Sequence, residues 1–363
     1  MPTRVRVLVR DDLPAVAALF ARATQQPAQE LQGYFREMLF DNPWRGLELP
    51  SWVAEEDGRL VGFQAVVPRP MRFRGRDIRV AVGCQFLVEP GAPGLTALRL
   101  AQAFLAGPQD LTLIDGASDQ VQRISAALGG TAPLAYNLHW TRLLRPLRAL
   151  VSRLGARGLL PQVLARAAQP LCALPDALFA RLRPNRFARA DGALAESALE
   201  PAAMLEVLPE VASGHALQPV YDAGSLAWLL EQAARKRRHG TLRARAVHNG
   251  EGRLAGWYLY YLRPGGVGEV LQLAAREGCF ESVLQRALAD AWRQGAAALH
   301  GRLEPRQLAP LSERHCWLRR EGTWTLVHAR DPELLAAVGR GDAFLSRLEG
   351  EWWMRFLGEG QPA

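Results

Sequence analysis

Apolar and polar positions along the chain switch between two periods. Residues 4 to 10, RVRVLVR, alternate strictly, which predicts a half-buried strand. Asp11 and Asp12 with Pro14 then mark a helix start that Ala15 to Ala23 continue. A second helix is expected from Gln29 to Phe40, ending where Asn42 precedes Pro43. SWVAEE (51–56), the turn Asp57-Gly58 and RLVGFQAVVP (59–68) predict a hairpin. A strand from Ile78 to Val88, a helix from Leu95 to Leu105, a strand at 111–116, a helix at 118–130 and a strand at 135–144 follow.

The order then recurs. DGRLVGF (57–63) is echoed by EGRLAGW (251–257), and each copy is followed by a strand, a loop, a helix and another strand. Residues 208–240 read as helical, 241–249 as a strand, 267–275 as a strand, 280–294 as a helix, 297–305 as a strand and 323–329 as the last strand. RPGGVGEV (263–270) is Gly-rich but precedes a strand, so it reads as a turn and not as a dinucleotide loop. Trp257, Tyr258, Tyr260 and Tyr261 read as sheet core in preference to a sugar-stacking platform.

Between the copies lies a Pro-broken tract rich in Leu, Ala and Arg, whose only acid from Arg145 to Arg189 is Asp176. A basic amphipathic tract of this kind suits an anionic membrane surface or packs its Leu stripe between domains. The Pro breaks leave no long unbroken helix, so packing is the preferred expectation. The expected division is 1–144, a helical linker over 145–194, and 195–363.

Composition adds little to this picture. A hydrophobic fraction of 49% with 22% charged residues is that of an ordinary globular protein. The formal charge is +8, yet Lys236 is the only lysine, so the excess reads as a compositional habit and no nucleic-acid partner is expected. Cys84, Cys172, Cys279 and Cys316 are scattered and predict reduced thiols, and no uncharged apolar run reaches membrane-spanning length. A cytoplasmic protein is the expectation. The seven histidines show no ligand spacing, so no metal is expected.

WVAEEDGRLVGF (52–63), CQFLVEPGAPGLTALRL (84–100) and SDQVQRISAALGG (118–130) resemble the GNAT acyltransferase superfamily, and the duplication is similar to its tandem members. GDAFLSRLEGEWW (341–353) resembles the tail of tandem GNAT-like proteins associated with bacterial surface polysaccharide. The resemblance implies an α/β (α+β) fold of two GNAT-like domains. It also implies an acyl-CoA-dependent N-acyltransferase that uses acetyl-CoA or another acyl-CoA, with direct transfer to a small amine or amino-sugar acceptor.

Carried onto this sequence, the resemblance places Phe86, Leu87 and Val88 against pantetheine. It places Gly91, Gly94, Leu95 and Thr96 in the loop and helix start that hold the pyrophosphate. Pro93 stands where the family has a basic residue, and Ser125 where a Tyr is frequent. Glu89 is the candidate base by position, with Asp115 and Tyr136 as further candidates. In the second copy Gly278 is flanked by Glu277 and Glu281, acids that repel a pyrophosphate, so the co-substrate is expected in the first copy only. The competing expectation is a binding or scaffold protein that has lost catalysis.

Overall fold

Asp57 and Gly58 both take positive φ, 48° and 77°, the backbone a two-residue hairpin turn requires. In this computed structural model, which describes residues 3–156, 161, 170–181 and 195–354, that turn joins β2 (Trp52–Glu56) to β3 (Arg59–Phe73). Its echo is built differently: Asn249 caps a wider loop, accepting the N–H groups of Glu251 and Arg253 on its side-chain oxygen, before β10 (Leu254–Leu262) begins. The shared sequence therefore marks the strand that follows the turn, and two turn geometries lead into it.

The chain forms two compact units. The first comprises residues 1–137, 215–232 and 321–363, and the second residues 138–214 and 233–320. In the first, β1 (Arg4–Val7), β2, β3, β4 (Arg76–Val88), β5 (Leu111–Ala117) and β14 (Trp324–Ala329) lie side by side, and β8 (Leu217–Pro219) pairs with the far end of β3. The second sheet runs β13 (Trp317–Arg320), β6 (Leu138–Leu143), β12 (Ala298–Arg302), β11 (Val267–Ala275), β10, β9 (Thr241–His248), β7 (Ala195–Ala198). Within each sheet one neighbouring pair is parallel, β4 with β5 and β11 with β12.

The unit limits cross the linear ones expected from the sequence. β6 follows the first copy along the chain but pairs antiparallel with β12, while β14 at the end of the second copy pairs antiparallel with β5. A strand's alternation predicts the strand and leaves its partner open. Residues 208–240 are not one helical run either: α7 (Pro201–Ala212) ends before β8, and α8 (Ala223–Arg235) restarts where Asp222 and Ser225 exchange hydrogen bonds.

The helices that matter for the site pack on the first sheet. α1 (Leu13–Thr24) and α2 (Ala28–Leu39) bring Phe20 and Phe35 onto Phe63 of β3, with ring centroids 5.0 to 5.6 Å apart. α3 (Thr96–Leu105) and α4 (Asp119–Ala127) flank the parallel pair. In the linker, α5 (Pro146–Ala156) and α6 (Ala173–Arg181) pack on each other, and in the second unit α9 (Phe280–Arg293) takes the place that α3 has in the first. Trp257, Tyr258, Tyr260 and Tyr261 are all buried in the second sheet, as their strand spacing predicts.

The glycine near the end of each echo, Gly62 and Gly256, sits where a helix crosses the sheet. A Cβ on Gly62 would lie 2.7 Å from Leu100 of α3, and one on Gly256 would meet the Ala274 carbonyl and lie 2.7 Å from the Ala275 Cα and 2.9 Å from Val283 of α9. Backbone cannot move aside as a side-chain tip can. Gly256→Ala is therefore expected to destabilise the second unit by about 1–3 kcal/mol or more, read as a lowered urea midpoint with an unchanged slope.

Candidate functional site

β4 and β5 stay paired only from Val80–Leu111 to Gly83–Ile114. Beyond that point Cys84 to Val88 and Asp115 to Ala117 part. β4 remains on β3 as far as the Gly62–Val88 pair, but its register shifts between the Phe63 and Ala65 pairs, and Gln85 at the irregularity takes φ 51°. A bulge turns the strand away from its other neighbour. Two amides pin it: Gln64 donates to the carbonyls of Ala65 (2.8 Å) and Cys84 (3.0 Å), and Gln85 donates to the Tyr34 hydroxyl (3.3 Å). The edge of β4 at Phe86, Leu87 and Val88 is left without β5.

An apolar cleft lies at this parting. Phe86 and Ile114 line it from the strands, Phe104 and Leu105 from α3, and Val121 and Ile124 from α4, with Ser125 on its wall. The spacing of Val121, Ile124 and Ser125 places all three on one helical face. The apolar α3 and α4 residues were not legible as site residues, because apolar helix positions read first as core, whereas Ser125 was marked by the resemblance.

The loop from β4 to α3 is arranged around Gly91, at φ 90°. Ala92 N–H bonds to Glu89 O, Thr96 N–H to Pro93 O and Arg99 N–H to Leu95 O, whereas the N–H groups of Gly94, Leu95, Ala97 and Leu98 have no backbone partner among the described contacts. α3 has no acid in its first turn. Unpaired donors at a helix start of this polarity favour an anion. A Cβ at Gly91 or Gly94 would meet nothing within 4 Å, so the space over the loop is open. Thr96 is buried and its hydroxyl meets that of Thr3 at 3.3 Å, so its side chain belongs to the packing.

Glu89 is not free to act as a base. One carboxylate oxygen accepts from Arg22 Nε at 3.2 Å and the other pairs with Arg59. This three-way ion pair ties the end of α1, the hairpin and the start of the loop together, and two arginines on one carboxylate leave a positive charge beside the loop. Arg22 and Arg59, which the sequence order keeps apart, thus stand together at Glu89.

Asp115 and Tyr136 are also placed differently from expectation. Asp115 is buried, and Gly350 from the C-terminal segment packs directly on its carboxyl group. Tyr136 is fully buried in a turn over Ala135–Asn137, its hydroxyl donating to the Ala343 carbonyl (2.6 Å) and accepting from the Ala343 N–H (3.2 Å). The same C-terminal segment brings in a carboxylate that the sequence did not single out: Glu351 Oε1 lies 3.5 Å from where a Cβ would stand on Gly116, just past the parting on β5.

In the second unit the parting recurs with other partners. β11 and β12 pair only from Val267–Ala298 to Glu269–His300. Leu273, which holds the register position of Phe86, has its carbonyl taken by the Gln307 side chain at 2.9 Å. Arg276, the counterpart of Glu89, bonds Ala255 O as Glu89 bonds Val61 O, and it pairs with Glu210. Glu281 stands in the first turn of α9, paired with Arg314.

The chain superposes on a conserved protein from Enterococcus faecalis V583, described as a probable N-acyltransferase, with TM-score 0.58 and 12% identity over 91% of this chain and 73% of that one. A GCN5-related N-acetyltransferase from Kribbella flavida gives TM-score 0.54 and 14% identity, covering 90% and 70%. One from Anabaena variabilis gives 0.56 and 11%, covering 90% and 72%. This is a tandem GNAT fold. The coverage spans both units, so the GNAT likeness belongs to each of them. No protein-family model matches the sequence, and no curated protein does.

A thiol stands at the parting of the first unit. Cys84 is buried, and burial, with the Glu351 carboxylate acting in the same direction, pushes its thiol well above the ordinary range. A thiol held protonated is a poor nucleophile. Native protein treated with iodoacetamide near pH 8 should alkylate the half-buried Cys279, with Cys84 reacting about a hundredfold or more slowly. Equal rates at the two positions in peptide mass spectra would contradict the assignment.

Proposed function

We propose that the chain is an acyl-CoA-dependent N-acyltransferase whose first unit alone holds the co-substrate. The observation that carries this reading is the open edge of β4 above an apolar cleft, beside unpaired N–H groups at an acid-free helix start. Phe86, Leu87 and Val88 offer backbone groups to the pantetheine amides. Gly94, Leu95 and the first N–H groups of α3 hold the pyrophosphate, with Gly91 turning the chain and Thr96 anchoring the helix start. Arg22 and Arg59 add positive charge at the same mouth.

Transfer in this reading is direct. Glu351, beside Gly116, takes a proton from the acceptor amine as its nitrogen bonds the thioester carbonyl carbon, and the C–S bond then breaks to release CoA as thiolate. The β4 backbone donors stabilise the oxyanion that forms between these events. The protonated Cys84 supports a route without an acyl-enzyme. The acceptor is a small amine or amino sugar by resemblance, and acetyl-CoA is the first donor to test. Dependence on acyl-CoA sets the reaction on the cytoplasmic side.

Two measurements test the proposal. A ligand that binds only the folded state stabilises it by about 2.7 kcal/mol at a hundredfold excess over its dissociation constant. Acetyl-CoA or a longer acyl-CoA should therefore raise the melting temperature, and Gly94→Glu should abolish that shift while Gly278→Glu keeps it. No shift with any acyl-CoA at millimolar concentration would sink the enzyme reading. Once an acceptor is found, Glu351→Gln should lower kcat by about a hundredfold or more with little change in KM for the donor. A variant within threefold of the parent, roughly, would remove Glu351 as the base.

A further inference from the structure

From Gly341 to Met354 the first unit's C-terminal segment forms neither helix nor strand, yet Ser346, Leu348, Glu349 and Trp353 are each 2% exposed or less. A buried segment without regular structure needs side chains to answer its backbone and hold it in one place. Glu349 is central to that hold. Its Oε2 accepts the Ser346 N–H at 2.7 Å and the Ser346 hydroxyl at 2.6 Å, and its Oε1 accepts the Tyr221 hydroxyl at 2.7 Å. Burial pushes the Glu349 carboxyl above its ordinary range, while the hydrogen bonds from Ser346 and Tyr221 pull it back.

Arg69 of β3 ties this carboxylate to the sheet. Its Nη2 donates to the Tyr221 hydroxyl at 3.1 Å and to the Leu348 carbonyl at 2.9 Å. The guanidinium lies 4.4 Å from the centre of the Trp44 ring and 5.9 Å from that of Trp353. In the sheet Arg69 pairs with Val80 of β4, the strand that parts from β5 further along. The hold on the segment therefore comes from the same two strands that frame the parting.

Glu351 stands between the two places that Arg69 touches, three residues after Leu348 and two before Trp353. Its neighbour Gly350 has no room to shift inward, because a Cβ there would lie 2.3 Å from Asp115 Oδ2. Buried polar groups of this kind are a weak way to stabilise a core, since apolar residues of similar volume often do as well or better. What a hydrogen-bonded network adds is one defined geometry. We propose that Arg69, Tyr221 and Glu349 are positioning residues that hold the Glu351 carboxylate at the strand parting beside Gly116. The inference rests on the reading of Glu351 as the base. A base must stay within hydrogen-bond reach of the amine, and a misplacement of about 1 Å can cost about a hundredfold in rate.

Cys84 reports where Glu351 is, because that carboxylate adds to burial in holding the thiol protonated. Alkylation of the full chain by iodoacetamide is followed at about pH 9, with Cys279 of the second unit as internal standard. Glu351→Gln should raise the Cys84 rate about tenfold, the equivalent of one pH unit in the thiol pKa. Tyr221→Phe, which removes one hydroxyl, should let the carboxylate swing away and give a similar rise. Added to Glu351→Gln, it should change the rate by less than about twofold. Looser packing alone would speed Cys84 equally in both backgrounds. Equal acceleration in the two, a parent-like rate in folded Tyr221→Phe, or no effect of Glu351→Gln would therefore overturn the inference. Should Tyr221→Phe melt below the assay temperature, Glu349→Gln decides by the same outcomes, and collapse of both would make the network structural and overturn the inference too. Failure of the acyltransferase reading is seen separately, as the absence of any melting shift with acyl-CoA, and leaves the thiol measurement able to place Glu351.

Discussion

Two parallel strands that stop pairing at Gly83 and Ile114 govern the first unit. A strand cannot leave one neighbour while staying on the other unless its backbone turns, and the irregularity at Gln85, with φ 51°, supplies the turn. Gln64 and Tyr34 hold it there through side-chain hydrogen bonds. From this one local distortion follow the uncovered edge at Phe86 to Val88, the cleft that α3 and α4 enclose, and the entry by which Glu351 comes close to Cys84 and Gly116. Remove the bulge and the two strands would close over the site.

The second unit shows what becomes of the same scaffold when the opening is not kept. Its parallel strands part at the corresponding point, yet Gln307 occupies the carbonyl of Leu273, and Arg276 pairs with Glu210 and Glu281 with Arg314. At the end of the central strand the sign is reversed: a glutamate between two arginines in one unit, an arginine on a glutamate in the other. Both arrangements tie a helix to that strand's end. The first places two arginines on one carboxylate beside its loop, whereas the second places an acid at the start of its helix.

Most elements were legible along the chain because local periodicity and turn chemistry encode them. β2 to β4, α3, β5 and the buried aromatic strand of the second copy stand within a few residues of expectation. What periodicity does not encode is partnership across distance. The exchange of β6 and β14 between sheets, the break of residues 208–240 at β8, and the reach of the C-terminal segment to Asp115 and Gly116 all depend on contacts between residues more than a hundred positions apart. The same reason explains the site. Phe86 to Val88 and the glycine loop were legible from one continuous stretch, whereas Glu351, Arg22 and the α4 residues join it only in three dimensions. Glu89 looked like a base because its two arginines are remote in sequence, and Tyr136 looked available because its partner Ala343 is further still.

The central claim is that two copies of one fold carry one site. Calorimetric titration of the full chain with a non-hydrolysable thioether analogue of an acyl-CoA counts sites directly. The account predicts one molecule bound per chain. Two equivalent molecules per chain, or a stoichiometry of one that persists when Gly94→Glu blocks the first unit, would contradict it.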